Sequence, residues 1–117
     1  MSNIENLLKE WAELEPDRCK KLTQDEADYF KVLRYDVLGW VGPRLGDGGF
    51  YLDTIQGATQ QALEASGFDC NLRYRHNQKQ WKAEVFSADK LYCMYNKVSA
   101  EALLSAYLKA LAVEVEG

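Results

Sequence analysis

The sequence predicts an α+β fold: a three-stranded antiparallel meander with helices packed on it, in an α/β/α sandwich-like arrangement, plus a helix at the N-terminus. Two observations carry this. Apolar residues recur at helical spacing over much of residues 4–66 and again after residue 99, but alternate from Phe68 to Asn96. The connections between the alternating runs are also so short that neighbouring strands must be antiparallel.

Residues 4–14 read as an amphipathic helix, with Ile4, Leu7, Leu8, Trp11 and Leu14 on one stripe. Pro16 ends it, and a charged connector runs to Leu22. Residues 1–22 are therefore expected to be an appendage of a single domain spanning 23–117. A second helix is expected from Thr23, where Thr23 and Glu26 match a capping box. Ala27, Phe30, Leu33, Val37 and Leu38 would be its buried face, and the carboxylates of Asp25, Glu26 and Asp28 would meet the helix dipole. Gly39 would stop it. Residues 39–53 hold five of the eight glycines and suggest a turn at Asp47-Gly48-Gly49, with Val41 pairing against residues 50–52.

Thr54 is the expected cap of a third helix, closed by Gly67. Phe68, Cys70, Leu72, Tyr74 and His76 then alternate with Asp69, Asn71, Arg73 and Arg75. Trp81, Ala83 and Val85 face away from Lys82, Glu84 and Phe86, and Leu91, Cys93 and Tyr95 away from Tyr92, Met94 and Asn96. Ser99 is the expected cap of a last helix near 100–112, with a fraying tail.

At 117 residues the chain has the size of one ordinary domain. The net charge of −4 argues against a general nucleic-acid binder. The start of the chain does not read as a signal peptide, and no apolar run approaches the ~20 residues of a membrane span, so the cytoplasm is expected and no membrane partner. Cys19, Cys70 and Cys93 form no CxxC, and one histidine, His76, does not complete a usual zinc site. No metal or cofactor is expected, and Cys70 and Cys93 read as small buried apolar residues.

The ordered marks are a helix ending in Leu38-Gly39-Trp40, a short hairpin, a Thr-capped helix running into Gly67-Phe68, the segment LRYRHNQKQWKAEVF, and a final S-x-E-A-L-L helix. Over about residues 24–112 this set resembles the phage ABA sandwich domain family. The resemblance implies a three-layer α/β/α arrangement and a bacteriophage or prophage origin, and it transfers no catalytic residue. Several small phage proteins are counter-defence factors, some of them sponges that sequester nucleotide immune signals, and this is the function class the analogy suggests.

Charge is uneven along the chain. Residues 70–97 hold Arg73, Arg75, Lys79, Lys82, Lys90 and Lys97 against Glu84 and Asp89, a local +4, so the other 89 residues carry −8. Arg73 and Arg75 share a strand face. That face reads either as solvated and paired with helix carboxylates, or as an anion site built on arginine forks. In the second reading Lys82 and Tyr92 join it, and Trp40, Arg44 and Tyr51 contribute from the glycine-rich loop by stacking and an anion contact. Tyr92 and Tyr95 fit both core and ligand-binding roles. No nucleophile, base and oxyanion donor assemble, so a non-enzymatic protein is expected.

Two functions follow. The first is a binding module holding an anionic small molecule such as a cyclic nucleotide or an ADP-ribose-type signal; a homo-oligomer would suit it, since a pocket between chains can enclose a ligand. The second is an interaction module that inhibits a host protein through its acidic surface, with Leu7, Trp11 and Leu14 of the N-terminal helix as anchors.

Overall fold

The computed structural model describes residues 3–24, 27–34, 39–41, 49–88 and 90–116. The element order is α1 (Asn3–Leu14), β1 (Cys19–Gln24), β2 (Ala27–Arg34), β3 (Gly39–Val41), α2 (Gly49–Ser66), β4 (Asp69–Arg75), β5 (Gln80–Ser87), β6 (Lys90–Asn96) and α3 (Ser99–Glu116). The α+β class, the C-terminal meander and the N-terminal helix are as the sequence predicts.

α1 forms on the predicted stripe. Ile4, Leu8 and Trp11 are buried, the last two completely. Pro16 disfavours a helical conformation at Glu15 and ends the helix. The chain then turns tightly, with the amides of Arg18 and Cys19 both donating to the Glu15 carbonyl.

Among the described residues the expected second helix is not seen. Cys19–Gln24 and Ala27–Arg34 are instead antiparallel strands, with Cys19 opposite Val32 and Gln24 opposite Ala27. The segment carries both periods. Ala27, Phe30 and Leu33 fit a helix, but Phe30 and Val32, the pair actually buried, fit a strand. The strand wins because Val32 meets the buried Cys19 across the ladder, a contact no local pattern contains. Thr23 and Asp28 are thus opposed strand residues rather than a cap and a helix-start carboxylate.

The expected loop hairpin is also corrected. Val41 pairs with Val32, in a third strand beside β2, and residues 50–52 belong to α2. Thr54 is therefore inside the helix and buried rather than a cap. The turn at 47–49 falls largely outside the described residues. α2 closes as predicted at Gly67, whose φ of +75° lies in the left-handed region. There the amide of Phe68 donates to the Leu63 carbonyl and that of Gly67 to the Glu64 carbonyl.

β4, β5 and β6 form the meander in that spatial order. Leu72 faces Ala83 and Met94, Tyr74 faces Trp81, and Val85 faces Tyr92. These residues share the inner face, which packs on α3. Ser99 does not cap α3; its hydroxyl donates to Gln56 Oε1 at 2.7 Å and ties the helix start to α2. α3 is apolar nearly all round, with Leu103, Leu104, Ala106, Tyr107, Leu108 and Ala110 all buried. Glu101, Ser105 and the exposed Lys109, four residues apart in turn, mark its open stripe.

α3 packs on the meander and on α1 and α2, while β1 packs on α1 and β2 on α2. The helices therefore lie between two sheets, where the sequence suggests a sheet between helices. α1 belongs to this core and β1 runs through residue 22, so the division of the chain at 22/23 is not seen in the structure.

Candidate ligand-binding face

α3 covers only the inner face of the meander. The outer face carries three cross-strand rows: Asp69–Phe86–Leu91, Asn71–Glu84–Cys93 and Arg73–Lys82–Tyr95, with Arg75 opposite Gln80 beyond them. Phe86 is 39% exposed, Leu91 51% and Tyr95 42%. Arg73 is exposed and Arg75 half-buried.

Arg73 lies directly across the ladder from Lys82. Cβ atoms so placed are about 5 Å apart, and like charges there repel. Glu84 offsets this only in part. Its carboxylate is 4.0 Å from Lys82 Nζ and accepts a long hydrogen bond from Asn71 Nδ2 at 3.5 Å. Lys82 Nζ also stands 5.9 Å from the centre of the Tyr95 ring, within cation–π range. Neither Arg73 nor Arg75 forms an ion pair among the described residues. The expected pairing with helix carboxylates is thus absent among those residues, and an unneutralised guanidinium sits beside an ammonium and an open aromatic ring.

The structure brings together only part of the predicted site. Arg73, Arg75 and Lys82 share the outer face. Tyr92 does not: it is paired with Val85 on the inner face and packs against the core. Tyr95, one residue-parity away, takes the place expected of Tyr92. Trp40 is a backbone partner of Leu33 in the other sheet. Tyr51 lies in the first turn of α2. Arg44 and the side chains of Trp40 and Tyr51 fall outside what the structure describes.

The anchors proposed for a host protein are turned toward the core. Trp11 is fully buried, and Leu7 and Leu14 pack against the core. Trp11 belongs instead to a polar network the sequence did not reveal. Glu15 Oε1 accepts from Trp11 Nε1 at 3.0 Å and from the Tyr107 hydroxyl at 2.6 Å, and Ser66 Oγ lies 3.2 Å from that hydroxyl. Glu15 Oε2 is 4.0 Å from Arg18 Nε. The network joins α1, α2 and α3. Burial, and then the bond to Glu15, push the Tyr107 pKa above its ordinary value. No signal in the sequence links Glu15 to a residue 92 positions away.

All three cysteines are free. The buried one is Cys19, whose thiol donates to the Leu8 carbonyl at 3.5 Å and whose pKa is pushed up to about 12 by burial. Cys70, expected to be buried, is exposed, and Cys93 is half-buried. The Cys70 pKa is raised by desolvation, then by Asp69 and Glu64. Among the described residues no group of three His, Cys, Asp or Glu side chains is placed to hold a metal ion. His76 is exposed in a turn, its ring edge-on to Tyr74 at 5.0 Å. Among the described residues, no helix is long and apolar enough to cross a membrane.

Comparison with protein-family models, with curated proteins and with solved structures finds no match.

Proposed function

We propose that this chain is a non-catalytic binding protein that holds an anionic, nucleotide-class ligand on the outer face of the meander. Arg73 carries the reading: a guanidinium across the ladder from Lys82, without an ion pair among the described residues. A phosphate between the two cations would turn their repulsion into two charge-assisted contacts. Tyr95 lies next to Lys82 in the same row and offers a ring on which a base can stack. Arg75 extends the cationic strip along β4.

The finer version of the proposal is a counter-defence sponge of bacteriophage origin, acting in the host cytoplasm on a cyclic nucleotide or ADP-ribose-type signal. It rests on the ordered motifs from Leu38-Gly39-Trp40 to the S-x-E-A-L-L helix, and on the local +4 of residues 70–97 in a chain of net −4. Inhibition of a host protein through the N-terminal helix is not carried forward, because Trp11 is in the core and Leu7 and Leu14 pack against it.

Titration with ADP-ribose and a set of cyclic dinucleotides, followed by native mass spectrometry, tests the reading. At least one should give a stoichiometric adduct. Arg73→Glu should weaken it by at least about tenfold, the scale of one charge-assisted contact. Equal binding by wild type and variant would sink the assignment of the face.

A further inference from the structure

Strands at the edge of a sheet present unpaired amides and carbonyls, and proteins usually blunt them with charge. β1 carries Lys20 and Lys21, and β4 carries Asp69, Arg73 and Arg75. Among the described strands β6 pairs with β5 alone, and it holds six consecutive uncharged residues, Leu91 to Asn96. It also bears two of the large apolar side chains that stand open on the outer face, Leu91 and Tyr95. These lie at equal distances on either side of Cys93 in the sequence.

That symmetry has a geometric consequence. We propose that two copies of this chain pair antiparallel through their β6 edges, with the two-fold axis at Cys93, to give one continuous six-stranded sheet. An isologous interface requires a patch complementary to itself. In this register Leu91 lies beside the partner's Tyr95 and Tyr95 beside the partner's Leu91, an aromatic–aliphatic pair made twice. The existing rows then join across the seam. Arg73–Lys82–Tyr95 continues into the partner's Leu91, Phe86 and Asp69, so Phe86, Leu91 and Tyr95 become one apolar strip.

The other face accepts the same register. Met94 falls beside the partner's Tyr92, and Lys90 faces the partner's Asn96, so no like charges oppose each other along the seam. A groove of about 360 Å³ beside this edge has a mixed lining, with Leu7, Met94 and Leu108 next to Glu10 and Lys109. Extended peptides from other proteins could use the same edge chemistry, but only a second copy supplies the Leu91–Tyr95 reciprocity. The proposal does not depend on ligand binding by the outer face.

Opposed residues in an antiparallel pair have Cα atoms about 4.5–5.5 Å apart, inside the range a disulfide spans. The Cys93 thiols are therefore a built-in reporter of the axis. Diamide takes two electrons and two protons from the thiol pair, becoming the hydrazine as the S–S bond forms.

Sedimentation velocity on the full chain at about 100 µM, well above the Kd of an ordinary specific interface, should give twice the 13.4 kDa chain mass. Leu91→Lys changes an exposed side chain and should sediment as a folded monomer, its fold checked by circular dichroism. Diamide should cross-link wild type and Cys70→Ser but not Cys93→Ser. The proposal is overturned by a monomeric wild type, by a dimer indifferent to Leu91→Lys, or by cross-linking that needs Cys70 in place of Cys93.

Discussion

Tyr107 shows how one side chain can join three helices. Its ring lies edge-on to Trp11 at 6.2 Å and to Phe68 at 6.1 Å, and its hydroxyl reaches Glu15 and Ser66. Tyr107→Phe keeps the ring and removes a bond to a carboxylate, so denaturant unfolding should show a loss of about 1.5–3 kcal/mol. The raised Tyr107 pKa fixes the direction of a pH effect as well. The folded state holds the phenolic proton more tightly than the unfolded chain. Its stabilisation is therefore complete below the unfolded value near 10 and is lost as pH rises through the higher folded value. Wild type should lose stability above about pH 10 more steeply than Tyr107→Phe. Cys19 acts with the same sign, between its ordinary value of 9.0 and about 12. At pH 8 a thiol reagent should therefore modify Cys93 and Cys70 in the folded protein, and Cys19 only after denaturation. Reaction of all three at equal rates would contradict the buried placement of Cys19.

The elements differ in how much of their structure is local. The meander was legible because its alternation is long and its turns are short, and both are properties of the chain itself. The pairing of β1 with β2 was not. A capping-box pattern at Thr23 and a helical spacing through Leu33 competed with a strand whose reward, Val32 against Cys19, comes from a distant residue. The face was half legible for a similar reason. Arg73, Arg75 and Lys82 follow from alternation alone. Choosing Tyr95 over Tyr92 requires knowing which parity of β6 meets Lys82, and that depends on the turn after Ser87. That turn holds Ala88 at a φ of +56°, where a Cβ is strained. Ala88→Gly should relieve the strain and raise stability by about 0.5–1 kcal/mol, read as a shift in urea midpoint at constant slope. α1 lies at the other extreme. Its amphipathic stripe was clear, yet its role as core depended on what it covers. Trp11→Ala should cost about 3–5 kcal/mol, since it empties a fully buried site between α1 and α3.

On the scale of the whole molecule, the core and the proposed binding face occupy different surfaces. The helices and the inner faces of the sheets bury the apolar residues, with α3 at the centre. The outer face of the meander takes little part in that core, and its cations Arg73, Arg75 and Lys82 outnumber its carboxylates Asp69 and Glu84 in a chain of net −4. Substitution there should therefore separate function from folding. Arg73→Glu should leave the thermal midpoint nearly unchanged, because an exposed cation facing Lys82 contributes little to the fold. The most direct measurement of the central claim is native mass spectrometry of wild type and Arg73→Glu with the cyclic dinucleotide and ADP-ribose panel. A discrete nucleotide adduct on wild type, lost from a folded Arg73→Glu, is the predicted result. No adduct from any member of the panel, or one that survives the substitution, would contradict it.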